Sequence, residues 1–214
     1  MAENMITIEN VNLTIKNVEI LKDINVSFEK GKIHGLIGRN GSGKTMLMKC
    51  ITGFVKPTSG TITVDGDVIG KDTDFPEDVG IIIETPQFIP YYSGYKNLQT
   101  LANLKRKIGN EEIVEAIKLV GLDPDMKRHV KKYSLGMKQR LGIAQAIMEY
   151  PSLLVLDEPM NGLDKDGVKD VREILLKMKT QKKTILISSH YAEDIEILCD
   201  TVHEMDKGCI EKIK

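Results

Sequence analysis

Two short stretches hold the residue types that phosphate chemistry needs. Gly38, Arg39, Asn40, Gly41, Ser42, Gly43, Lys44 and Thr45 fit the pattern GxxxxGK[ST], between an apolar strand-like run (Ile33, Leu36, Ile37) and a helix-like run (Met46, Leu47, Met48, Ile51). A loop of backbone N–H groups opening onto a helix N-terminus can surround the charge of a polyphosphate, and glycines let the backbone come close. Lys44 would reach the β- and γ-phosphates, and the Thr45 hydroxyl would ligate Mg²⁺. Strand, loop, spacing and Lys-Thr coincide, so the stretch reads as a nucleotide phosphate site.

The second stretch is Leu153-Leu154-Val155-Leu156-Asp157-Glu158, two carboxylates at the C-terminal end of an apolar strand, where open α/β sheets bind ligands. Alone, such an acid pair is more often merely solvated. Beside a phosphate loop, Asp157 would hold Mg²⁺ and Glu158 would orient or deprotonate a water. His190 follows Ile185-Leu186-Ile187-Ser188-Ser189 on the same predicted rim and reads as a donor to the γ-phosphate. His34, His129 and His203 have no such placement and read as structural or surface residues. Lys132 to Leu141 (KYSLGMKQRL) can be a second anion-binding helix start with Ser134 as cap and Gly136 keeping the backbone open, or simply a capped helix; spacing does not choose.

The elements that must carry these residues are legible in the periodicity. Met5 to Phe28 alternates as β-strands broken at Lys16-Asn17, and Pro57-Thr58-Ser59-Gly60 turns into a further strand, Thr61 to Val64. Val79 to Ile83, Ser152 to Leu156 and Thr184 to Ser188 are continuous apolar runs of the buried-strand type, alternating with helical pattern, as in a parallel α/β sheet. Lys96 to Ile108 and Glu111 to Val120 show helical spacing, with Asn110 as a candidate cap and Gly109 and Gly121 as candidate stops. Lys165 to Lys179 predicts a helix, and Val202 to Ile210 a hairpin around Asp206-Lys207-Gly208. The expected architecture is α/β: a P-loop NTPase core with a parallel sheet, an N-terminal antiparallel β-subdomain, and an α-helical subdomain inserted at roughly 85–145 of a single domain over 1–214.

Composition excludes some classes. The formal net charge of −1 gives no general basic footprint for nucleic acid. Cys50, Cys199 and Cys209 are odd in number and lack CxxC spacing, which argues for reduced thiols, treated as small apolar residues, in a cytoplasmic setting. No apolar run of about eighteen residues and no signal-like N-terminus is present, so neither a membrane span nor cleavable secretion is expected.

Together these residues resemble the nucleotide-binding subunit of an ATP-binding cassette (ABC) transporter. GRNGSGKT matches its Walker A motif, LLVLDEP its Walker B motif with Glu158 as catalytic glutamate, Asn161 to Asp164 its D-loop, and His190 its switch histidine. YSLGMKQR is similar to the signature usually written LSGGQ, and the motifs run in family order over almost the whole chain. The resemblance implies ATP and Mg²⁺ as cofactors and ATP hydrolysis coupled to transport. Gly38 to Thr45 and Met46 would bind ATP, with Lys44, Glu158 and His190 catalytic and Asp164 in the D-loop. It also implies a head-to-tail homodimer in which Ser134, Leu135, Gly136 and Met137 of one subunit contact the ATP of the other. A separate integral membrane subunit would dock on the helical insert at the cytoplasmic face of the membrane.

Four positions, in three motifs, depart from the family pattern. Glu84 stands where a glutamine is common; a carboxylate can still serve Mg²⁺ but adds negative charge. Ile15 falls where an aromatic residue commonly stacks on adenine, so base contact should be mainly apolar. Leu135 and Met137 replace a glycine and a glutamine of the signature. With IETP at residues 83–86, closing the apolar run from Val79, these features are similar to the bacitracin- and lantibiotic-type branch of exporters, implying an antimicrobial peptide or another hydrophobic compound as cargo. Phe88, Tyr91, Tyr92 and Tyr95 either line the docking groove or pack the helical insert. A soluble ABC ATPase acting on ribosomes or DNA usually has tandem cassettes or long coiled-coil insertions. A small-molecule kinase would leave the signature, Glu158 and His190 without purpose.

Overall fold

Strands β1 (Asn4–Ile15) and β2 (Val18–Glu29) pair antiparallel in the computed structural model, which describes residues 3–214. Lys16 and Asn17 between them are both left-handed (φ 49 and 64), the conformation that suits a two-residue hairpin. β4 (Ser59–Val64) adds to the other side of β1, and the short β5 (Asp67–Val68) completes a four-stranded sheet in the order β2-β1-β4-β5.

The second sheet has six strands. β3 (Ile33–Ile37), β6 (Val79–Ile82), β7 (Leu153–Asp157), β8 (Thr184–Ser188), β9 (Thr201–Asp206) and β10 (Cys209–Lys212) lie in the order β10-β9-β3-β8-β7-β6. All neighbours are parallel except the β9–β10 hairpin. Registers of Leu36 with Ser188 and of Asp157 with Ser188 bring the C-terminal ends of β3, β7 and β8 to one rim. The phosphate loop, the acid pair and His190 therefore share that rim.

Both faces of this sheet are covered, which explains the unbroken apolar runs. Leu154, Leu156, Ile185 and Ile187 pack with α3 (Asn110–Leu119), α4 (Leu135–Ile147) and α5 (Lys165–Thr180). The alternate residues Leu153, Val155 and Leu186 pack with β1, β2 and α1 (Lys44–Ile51) in a second core. Successive side chains of a strand point to opposite faces, so one run serves two cores. Gly80 of β6 lies against α4 so closely that an added Cβ would stand 2.0 Å from the Ala146 carbonyl oxygen.

Between β6 and β7 run α2 (Gly94–Lys105), α3, a short 3₁₀ turn at Val130–Lys132, and α4. Helix α2 stops earlier than its apolar spacing suggests, at Arg106, which is left-handed (φ 55). Gly109 does not end α2; it caps α3 in place of Asn110, and its N–H donates to Glu112 Oε2 at 2.9 Å. The aromatic group divides: Phe88 and Tyr95 pack on the helical core, whereas Tyr91 and Tyr92 are exposed. α6 (Ala192–Leu198), which the periodicity did not disclose, follows β8. Cys50 and Cys199 are buried as expected, but Cys209 is exposed and does not behave as a core residue.

Candidate functional site

The loop between β3 and α1 is shaped by contacts from behind. Gly38 (φ 140) approaches the β9–β10 hairpin so closely that a Cβ there would lie 2.2 Å from the Met205 carbonyl oxygen, which only glycine avoids. Gly208 N–H donates to the Ser42 carbonyl at 3.1 Å, fastening the loop to the same hairpin. Lys44 is buried and curls back: its Nζ donates to the carbonyls of Gly38 at 2.6 Å and Arg39 at 3.2 Å. The ammonium is thus held against the loop without any carboxylate partner. The Ser42 hydroxyl is buried and has no hydrogen-bond partner among the described residues, inside a loop whose residues suit phosphate.

Thr45, at the start of α1, donates its hydroxyl to Asp157 Oδ2 at 2.7 Å. Ser188, the last residue of the adjacent strand β8, donates to Asp157 Oδ1 at 2.6 Å and accepts from the Glu158 N–H at 2.9 Å. Ser188 was missed in the sequence; its signal is position, the end of the strand paired with Asp157. Glu158 adopts a left-handed backbone (φ 52), uncommon for a residue with a side chain. His190 Nε2 lies 2.9 Å from Glu158 Oε1. Glu158 Oε1 is buried, and the geometry of that contact is not that of an aligned hydrogen bond. Burial raises the Glu158 carboxyl above its ordinary range and Asp157 adds to the rise, while His190 and Lys44 oppose it. A carboxyl so placed is poised to exchange a proton nearer neutrality than a solvated one.

Lys44, Thr45, Asp157, Glu158 and His190 line one open cleft of about 280 Å³ together with Asn40, Gly41, Gly43, Met46 and Ile20. A larger cavity of about 540 Å³ lies between β6, α2 and α4, contains the Lys105–Glu149 pair, and holds none of the phosphate-loop residues. The titratable groups converge on the smaller cleft, which makes it the candidate site. Among the described residues no group of three His, Cys, Asp or Glu side chains is set to hold a metal. One hydroxyl and one carboxylate, both hard oxygen donors, fit Mg²⁺ that shares its coordination with substrate phosphates rather than a protein cage.

Other candidates lie apart. Glu84 (φ 60), just after β6, is mostly exposed and pairs with Lys49 at 2.6 Å, outside the cleft lining. Ile15 ends β1 on the surface, while Ile20 of β2 reaches the cleft. Ser134 caps α4, its Oγ accepting from the Met137 N–H at 3.1 Å, but Ser134, Leu135, Gly136 and Met137 do not line their own chain's cleft. Leu135 and Gly136 lie against Gly162 instead: a Cβ on Gly136 would stand 2.9 Å from the Gly162 carbonyl oxygen. Asp164 caps α5 through the Gly167 N–H at 2.9 Å.

A family model described as "ABC transporter" matches residues 21–161. The uncharacterized ABC transporter ATP-binding protein YybJ of Bacillus subtilis is 47% identical over 207 residues, 97% of this chain and 95% of that protein. The bacitracin transport ATP-binding protein BcrA of Enterococcus faecalis is 42% identical, over 96% of this chain and 68% of its own length. The lantibiotic transport ATP-binding protein SrtF of Streptococcus pyogenes is 39% identical, over 96% and 89%. In fold, the chain matches the dimeric post-hydrolysis ATP-binding cassette MJ0796 bound to ADP and Pi, with a TM-score of 0.88 at 21% identity and coverage of 98% and 99%.

Proposed function

Because the chain belongs to the ABC transporter family, as an ATP-binding and ATP-hydrolysing subunit, we propose that it drives a separate integral membrane subunit from the cytoplasmic face of the membrane. The observation that carries this reading is a division of labour within one chain. The phosphate loop, Asp157, Glu158 and His190 line one open cleft, while the capped start of α4 contributes nothing to its lining. Two copies set head to tail give each cleft its second wall from Ser134 to Met137 of the partner.

In this reading the loop from Gly38 to Thr45 binds the phosphates and Lys44 exchanges its carbonyl partners for β- and γ-phosphate oxygens. Thr45 and Asp157 would hold Mg²⁺, which supplies positive charge to the phosphates. Glu158 accepts the proton of the water that attacks the γ-phosphorus, as the bond to the β-phosphate oxygen breaks to leave ADP and phosphate. His190 holds the γ-phosphate and keeps Glu158 in place. The helices between β6 and β7 act as the subdomain on which the membrane subunit docks, beside the groove of about 540 Å³. The bacitracin and lantibiotic relatives support a hydrophobic or peptide antimicrobial as cargo, exported from the cell. No helix among the described residues is long and apolar enough to cross a membrane, in keeping with a partner that does.

The test is Glu158→Gln. Hydrolysis is expected to fall about 10²–10⁴-fold, the range for loss of a general base. With ATP the variant should run as a dimer in size-exclusion chromatography and, from membranes in mild detergent, should co-purify with an integral membrane protein. Normal turnover would reject Glu158 as the base; a monomer with ATP would reject the shared site.

A further inference from the structure

Gln139 is buried within α4, five residues beyond the Ser134 cap, about 7–8 Å along the helix. Its Nε2 donates to the Pro159 carbonyl at 2.9 Å. Pro159 directly follows Glu158, whose left-handed backbone persists only where its surroundings hold it. Three hydrogen bonds do so. Ser188 Oγ accepts from the Glu158 N–H at 2.9 Å, the Asn161 N–H donates to the Glu158 carbonyl at 3.1 Å, and Gln139 holds the next carbonyl downstream. Only Gln139 comes from the helix whose first turn bears Ser134 and Gly136. That first turn also lies against the segment after Glu158, through Gly136 and the Gly162 carbonyl.

We propose that Gln139 is a positioning residue for Glu158, and that it links engagement of the first turn of α4 to hydrolysis in the chain's own cleft. The link rests on the head-to-tail reading above, in which that first turn meets the nucleotide held by the other copy. When the start of α4 is seated there, the rigid helix sets Gln139, and Gln139 sets the backbone that carries Glu158. When it is unseated, Glu158 loses its downstream restraint. Each cleft thereby senses whether the other is occupied.

Gln139→Met keeps length and helix preference but cannot donate. Its kcat is expected to fall about 10–100-fold with KM for ATP within about twofold, the signature of a contribution made at the chemical step. A role confined to stability would change the melting temperature and leave kcat in place. Ser134→Ala should slow the native chain yet add little to Gln139→Met. An unchanged kcat would overturn the positioning role, and additive losses with Ser134→Ala would overturn the link. Should Gln139→Met not fold, Gln139→Ala, which also cannot donate, is read by the same criteria. A Glu158→Gln chain that stays monomeric with ATP would reject the head-to-tail reading and the link with it. The kcat and KM results would then decide the positioning of Glu158 alone.

Discussion

His203, on β9, is expected to make the fold acid-sensitive. It is buried, packs edge-on against Phe28 with ring centroids 5.1 Å apart, and its Nδ1 has no hydrogen-bond partner. His34 also meets Phe28 edge-on, at 5.2 Å, and Lys212 lies opposite His203 on β10. Burial pushes the His203 imidazole down to about 4 from an ordinary 6.5, and both His34 and Lys212 push the same way. The unfolded chain therefore binds the proton first, so the contribution of neutral His203 is complete above about pH 6.5 and is lost as pH falls toward 4. Between pH 7 and pH 5 the linkage amounts to about 2 kcal/mol. For a chain of this size that is about 4–8 °C in Tm. The perturbation is His203→Leu, and the assay is thermal unfolding followed by circular dichroism from pH 7.5 to 5. Losing the edge contact with Phe28 lowers stability by about 1 kcal/mol at every pH. The criterion is therefore the slope, which should be shallower in the variant by the amount above. His34, also held down by burial, remains in both chains and gives the variant its residual slope. Parallel melting curves across that range would refute the reasoning.

Glu84 and Lys49 are expected to behave as a compensated pair. Their contact at 2.6 Å has Glu84 mostly in solvent, so it is worth at most about 1 kcal/mol. Glu84→Gln should retain ATP hydrolysis, and complete loss of turnover would show that the carboxylate itself is needed. Lys49→Met should slow turnover less than about fivefold, and the defect should vanish when combined with Glu84→Gln; a defect that persists would separate the two residues. Among the thiols, Cys209 is exposed whereas burial pushes Cys50 and Cys199 up to about 12. A chromogenic disulfide reagent should titrate one thiol rapidly in the native protein and all three in denaturant. Rapid reaction of a second thiol under native conditions would contradict the packing of those residues.

Local pattern carried the sequence reading a long way. The strand–loop–helix at 33–51, the carboxylates at 157 and 158, His190 on the same rim, and the Ser134 cap are all where spacing predicts them. These depend on near neighbours in the chain. What stayed hidden depends on which strand lies beside which. Ser188 becomes a partner of Asp157 only because β7 and β8 are in register, and Gln139 meets Pro159 only once α4 packs beside that rim. Lys49 looks like an ordinary helix-end cation until β6 delivers Glu84 to it. The end of α2 was misjudged for a different reason. Glycine at 109 suggests a stop, but the Glu112 side chain makes it a start, and Arg106 supplies the left-handed turn.

The fastening of the phosphate loop to the β9–β10 hairpin bears on the order in which the protein matures. The amide of Gly208 that holds Ser42, and the backbone at Met205 against which Gly38 is seated, are synthesised more than 150 residues after the loop itself. Until that segment has emerged, the nascent chain carries the complete phosphate-loop sequence without the support that shapes it. Nucleotide affinity is then a property acquired only after the β9–β10 hairpin has left the ribosome, and it can serve as a report that the central sheet has closed.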